Sequence, residues 1–203
     1  CMKVFYNYLK YQNIIEENPF NQLRFQFRTE KVLPKTIPYD ILKSIFIYLE
    51  QKVIVSKTDY QKQHAERNLL IISLLLSTGI RISELCHIHL KDINLSNKTL
   101  HIVGKGKKER ILFLGDQKTF NLLETYINKT RNESNDFLFP GKHSLKPLSE
   151  QSVRLVLKRI VEQNSLSRTI APHMFRHSFA TMLLDNDVDI RYIQQILGHS
   201  SIS

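Results

Sequence analysis

The stretch Leu76-Ser77-Thr78-Gly79-Ile80-Arg81-Ile82-Ser83-Glu84-Leu85 decides how the chain folds. Residues 65–78, which lead into it, are apolar on most sides and too long for a typical strand, so they predict a central core helix. Gly79 suits the left-handed residue that ends such a helix. Ser83 is placed to cap a short second helix through residue 87, which leaves Arg81 at the bend between the two. A partly buried arginine at that bend needs an anionic partner. Glu84, three residues on, either closes an internal ion pair with it or orients a neighbouring histidine.

Residues 39–51, upstream of that helix, place Ile41, Leu42, Ile45, Phe46 and Leu49 at the spacing of a buried helix face, and the polar stretch 56–63 reads as a loop or a helix start. Downstream, residues 99–103 and 110–114 alternate and are rich in strand formers. Gly104-Lys105-Gly106-Lys107-Lys108-Glu109 joins them, predicting a β-hairpin with a basic tip. Asp116 caps a helix to about residue 130, and Ser149 caps another to about 163. Pro172 opens a helix to about 185, and Asp189 caps a last short one ending at Leu197-Gly198, with His199 in the turn beyond. The class is α+β, mostly helical with a small antiparallel sheet. Residues 1–17 carry a helical stripe, Asn18-Pro19-Phe20 breaks it, and residues 30–38, with Pro34 and Pro38, read as a linker. The expected organisation is therefore a tail of a preceding unit (1–29), a linker (30–38) and one domain (39–203).

Composition narrows the partners. The 203 residues are 42% apolar and 24% charged with 6 Gly and 6 Pro, which fits a folded globular chain and excludes a fibrous or disordered one. With 29 Lys and Arg against 19 Asp and Glu the net charge is +10, which favours a polyanionic partner, nucleic acid before a membrane surface. A ribosomal or simply basic protein has the same balance. The two cysteines, Cys1 and Cys86, make no disulfide framework and no CxxC pair, so a reducing compartment is expected. The longest apolar run, 69–76, is broken by Ser73 and falls far short of the roughly 20 residues a membrane span requires. The first residues lack the order of a signal peptide, and a cytoplasmic protein is expected.

Four short segments could carry chemistry. In Pro172-His173-Met174-Phe175-Arg176-His177, His173 and Arg176 share one helical face near an electropositive N-terminus, where Arg176 could grip a phosphate and His173 pass a proton. A basic surface turn would look the same. At the hairpin tip Lys105 could act as a general acid while Lys107, Lys108 and Arg110 neutralise phosphates, or the tip is a solvated basic turn. Arg81 with Glu84 is the third, and His199 just past a helix end is the fourth, unremarkable in isolation. Zinc at His173 and His177 is disfavoured, because the glutamate of HExxH is missing and Arg176 would repel the metal. Gly104-Lys105-Gly106-Lys107 lacks the spacing of a nucleotide-binding loop.

In this order the segments resemble the tyrosine recombinases, or phage-type integrases. Residues 76–85 look like the family's first-arginine box, 102–110 its lysine hairpin, 172–181 its HxxR box and 195–201 its final histidine motif. Glu17-Asn18-Pro19-Phe20 and Leu33-Pro34-Lys35 look like the exit from its N-terminal core-binding domain and its interdomain linker. The resemblance is closest to Xer-like recombinases and mobile-element integrases. It implies a helical DNA breaking-rejoining domain with a three-stranded antiparallel sheet, acting on double-stranded DNA beside other recombinase subunits, as a tetramer. Arg81 and Arg176 would hold the scissile phosphate, Lys105 protonate the leaving 5′ oxygen, His173 assist at the nucleophile and His199 donate to the phosphate. Glu84 would steady His173. No metal or cofactor is implied, since guanidiniums, a lysine and imidazoles supply the charge.

The family's nucleophilic tyrosine lies shortly beyond the final histidine motif, and the sequence ends at Ile202-Ser203. The chain is therefore expected to bind DNA without cutting it, while the intact protein cleaves through a 3′-phosphotyrosine. Tyr192, ahead of that motif, is expected to be a packing residue. Leu112-Phe113-Leu114 departs from the proline the family often carries there. A type IB topoisomerase and a non-catalytic DNA-binding regulator are the alternatives.

Overall fold

The computed structural model describes residues 2–21, 35–104, 109–130, 136–141 and 146–198. They fall into two compact units, Cys1–Leu33 and Pro34–Ser203.

In the first unit, helix α1 (Met2–Tyr11) has no buried residue of its own. Asn18 ties the following turn back to it, its Nδ2 donating to the Asn7 Oδ1 at 2.7 Å and to the Lys3 carbonyl at 3.1 Å. The Tyr6 and Phe20 rings pack 5.1 Å apart.

The second unit is built around α3 (Asp59–Thr78), whose residues Leu69–Leu75 are all buried. A helix apolar on every side is stable only when other helices surround it. Here α2 (Tyr39–Ile54), α5 (Gln117–Thr130) and α7 (Pro172–Asp185) do so. The helix starts six residues before the expected 65, because the Thr58 side chain accepts from the Gln61 N–H. Its first turns are polar and lie outside the apolar pattern. The remaining elements are α4 (Ile82–Cys86), a 3-10 turn (Leu90–Asp92), β1 (Ile93–Asn94), β2 (Thr99–Val103), β3 (Glu109–Phe113), α6 (Glu150–Gln163) and α8 (Ile190–Leu197). The sheet runs β1-β2-β3, antiparallel throughout, with Leu100 opposite Leu112 and Ile102 opposite Arg110.

Three of the expected caps act as read: Asp116 accepts from the Thr119 N–H, Ser149 from Ser152 and Asp189 from Arg191. Ser83 does not cap α4 and lies inside it, because the Glu84 carboxylate accepts from the Arg81 backbone N–H and the helix begins at Ile82. The last part of the expected linker, residues 35–38, belongs to the second unit instead. Ile37 is in the core, and its N–H donates to the Ser178 Oγ of α7 at 2.8 Å. A proline-marked segment without periodicity can still place one apolar residue in a core.

Gly79 ends α3 with φ +61°. A Cβ there would lie 2.4 Å from the Phe179 Cδ1 of α7 and 2.9 Å from the Leu197 Cδ2 of α8, so only glycine lets the three helices meet. Gly79→Ala is expected to lower stability by about 2 kcal/mol, through overpacking and the left-handed backbone. Chemical denaturation of the chain measures this, and an unchanged midpoint would refute it.

Candidate active site

Arg81 and Arg176 come from different elements and meet at the C-terminal end of α8. Arg176, on the second turn of α7, donates from Nη1 to the Gly79 carbonyl at 2.8 Å and from Nη2 to the Leu197 carbonyl. Arg81 donates from Nη2 to the Gly198 carbonyl at 3.3 Å. Arg110, on β3, donates from Nε to the Ile196 carbonyl at 2.9 Å. Three guanidiniums thus take three successive carbonyls of one helix end. Those carbonyls have no partner within the helix and form the negative pole of its dipole, so cations gather there. Gly198 turns the chain away at φ +66°.

Glu84 sits among them with a side chain only 5% exposed. Its Oε1 accepts from the Arg81 Nη1 at 3.0 Å and the Arg110 Nη1 at 2.9 Å. Its Oε2 accepts from the Arg81 backbone N–H at 3.0 Å and the Arg110 Nη2 at 2.7 Å. Burial raises the Glu84 pKa, but the bonds from Arg110 and Arg81 outweigh it and hold the carboxyl below its ordinary value. The Arg176 guanidinium is pulled down to about 10 by burial first and by repulsion from Arg81 second, with Glu84 opposing. It remains charged at neutral pH. A desolvated cation beside a second cation is a site that an oxyanion would relieve.

Two expectations are corrected here. Glu84 was expected to steady His173; among the described residues its hydrogen-bond partners are the two arginines, and both oxygens are saturated by them. Arg110 was expected to face DNA with the hairpin lysines; its side chain is 11% exposed and committed to Glu84 and Ile196. The signal was present in the sequence. Alternation along β3 puts Arg110 on the same inward face as Leu112, leaving Ile111 and Phe113 outward, and an inward arginine needs a carboxylate.

His173 is exposed one turn before Arg176 on α7, its ring 6.0 Å from that of His177. Burial, then His173 and Arg176, lowers the His177 pKa, keeping that imidazole neutral more readily than an exposed one. Lys105, Lys107, Lys108 and His199 lie outside the described residues. Tyr192 is 64% exposed rather than packed, because short α8 buries Ile193 and Leu197 and turns its neighbours outward. Arg81, Glu84, His101, Val103 and Tyr192 line one open depression of about 1820 Å³. That exceeds the roughly 300–1,000 Å³ typical of small-molecule pockets and suits a polymer.

Residues 48–203 match the sequence profile of the phage integrase family. The chain belongs to that family. Among curated relatives, a tyrosine recombinase of Agathobacter rectalis is 48% identical over 205 residues, covering 100% of this chain and 66% of its own length. The tyrosine recombinase XerC of Bacillus subtilis is 34% identical over 210 residues, covering 100% of this chain and 65% of its own. This integrase-family chain thus spans about two-thirds of the length of those relatives. Of solved structures, the XerH site-specific recombinase bound to difH substrate in a pre-cleavage complex superposes with a TM-score of 0.70 at 28% identity, over 83% of this chain and 48% of that one. The XerA recombinase superposes with a TM-score of 0.69 over 98% of this chain and 73% of that one; at 22% identity it speaks for the fold alone. The mostly helical fold with a three-stranded antiparallel sheet is that of these neighbours, as the sequence led one to expect. Among the described residues no helix is long and apolar enough to cross a membrane.

Proposed function

We propose that the protein to which this chain belongs is a site-specific DNA recombinase that cuts and rejoins double-stranded DNA by transesterification. The observation that carries the reading is the convergence of Arg81, at the start of α4, and Arg176, on α7, on the end of α8, with Arg81 lining an open depression. Two guanidiniums fixed in advance offer donors to the nonbridging oxygens of a phosphodiester and lose little reorganisation energy as charge builds there. The recombinase names of the curated relatives, and the DNA substrate in the XerH complex, support the same reading.

In this mechanism a tyrosine hydroxyl attacks the phosphorus, forming a 3′-phosphotyrosine and releasing the 5′ oxygen. Lys105 protonates that oxygen, His173 helps remove the tyrosine proton, and His199 donates to the phosphate. Lys107 and Lys108 neutralise flanking phosphates. The energy of the broken phosphodiester is held in the covalent intermediate, so rejoining requires no nucleotide hydrolysis. Exchange of two duplexes takes a tetramer, and the work is done in the cytoplasm.

The test is a two-plasmid assay with the full-length recombinase. Joined products are expected only when both plasmids carry the recombination site. Relaxation of a site-free supercoiled plasmid without joining would refute recombination in favour of simple strand relaxation. The chain itself is expected to bind duplex DNA with an affinity that falls steeply with salt, about tenfold or more between 50 and 200 mM, as phosphate neutralisation requires. Fluorescence anisotropy at several salt concentrations reads that slope, and a flat response would count against a phosphate-binding face.

A further inference from the structure

Glu84 stands where it could silence Arg81. Its two oxygens are each 3.0 Å from a donor of that residue, and at 5% exposure little water screens the carboxylate. Left to itself, such a pair is close to neutral, and a neutralised arginine is a poor ligand for a phosphate. Arg110 approaches the same carboxylate from β3 with a parallel two-bond fork, 2.9 and 2.7 Å, and is far less exposed than Arg81, 11% against 40%. Charge-assisted, bidentate and buried, it is the stronger partner of the two.

We propose that Arg110 is a positioning residue that balances the charge of Glu84, so that Arg81 keeps its own positive charge for the phosphate. The inference rests on the reading of Arg81 as a phosphate ligand and adds a residue that touches no substrate. The charge count makes it testable. Arg81, Arg110 and Arg176 against Glu84 leave the cluster two positive charges. Removing Arg110 leaves one. Removing the charges of Arg110 and Glu84 together restores two. The same Arg110 also holds the Ile196 carbonyl, and its Cδ lies 3.4 Å from where a Gly198 Cβ would be, so it braces the turn that leads to His199. A purely bracing role predicts that a second substitution in the network worsens the first; a charge role predicts that it repairs it.

The experiment is single-turnover cleavage of a nicked duplex carrying the recombination site, by the full-length recombinase, with melting temperature and duplex affinity measured for every variant. Arg110→Met is expected to slow cleavage about 30-fold, less than the roughly hundredfold or more that follows outright removal of one electrostatic donor, with duplex affinity changed less than about threefold. Adding Glu84→Gln to Arg110→Met is expected to bring the rate back to within about fivefold of wild type. A double variant as slow as Arg110→Met, or slower, overturns the proposal. Arg110→Lys keeps the charge and loses the fork; it is expected to stay within about tenfold of wild type, and a larger loss overturns the proposal even if Arg110→Met fails to fold. Arg81→Ala in the same assay separates the two layers: if it leaves the rate unchanged, the phosphate-ligand reading itself is wrong, whatever the Arg110 series shows.

Discussion

Arg176→Ala in the full-length recombinase is expected to cut the rate of covalent complex formation by about a thousandfold, with binding to duplex DNA reduced less than about tenfold. The guanidinium is half buried, repelled by Arg81, and anchored to the Gly79 and Leu197 carbonyls. Holding a cation in that state costs free energy in the empty site, and the strain is relieved when a phosphate enters. The relief grows as the phosphorane gains charge, so the interaction is worth more in the transition state than in the bound substrate. Nonspecific affinity comes from many phosphates along the duplex, and the loss of one contact is a small part of it. Arg176→Lys should not restore the rate, because an ammonium cannot bridge two carbonyls and still present a planar fork. Denaturing gel electrophoresis of protein trapped on a nicked substrate measures the effect. Trapping within tenfold of wild type would remove Arg176 from the chemistry.

The elements that local chemistry defines were legible in the sequence. Asp116, Ser149, Asp189 and Pro172 act within a few residues of themselves, as does Gly79 in ending α3, so these caps and stops were placed from the local sequence alone. Arg81 beside Glu84 was legible as a pair for the same reason. What depended on distant neighbours was not. The third member of that cluster comes from a strand 26 residues away, and only the fold brings it to Glu84. The two residues of β1 are too few to show an alternation, and that strand was expected from family resemblance alone. The early turns of α3 left loop and helix start open because their side chains are polar and their helicity depends on the Thr58 cap and on continuity with the buried turns. Tyr192 was assigned to packing from its place in the short helix ahead of the final histidine motif, yet eight residues have room for only one narrow buried stripe.

Glu84→Ala should be among the most destabilising single substitutions in the second unit, at about 3–5 kcal/mol, since it leaves the buried Arg110 guanidinium without a counter-charge. Arg110→Met should cost less, because Glu84 keeps two bonds from Arg81, which is 40% exposed and hydrated. The double variant Glu84→Ala with Arg110→Met should be more stable than Glu84→Ala alone, the mark of a buried pair whose members are costly singly and cheap to remove together. The contribution is also pH-dependent with a fixed sign. Glu84 titrates below its ordinary 4.5 in the folded state, so its stabilisation is complete above that value and fades as pH falls through the lower, folded value. Melting temperatures from pH 7 to 3 should therefore converge for wild type and Glu84→Gln at the acid end and diverge above about pH 5. Parallel curves would show that the carboxylate is no better held in the folded chain than in the unfolded one, and the electrostatic account of the cluster would fail with it.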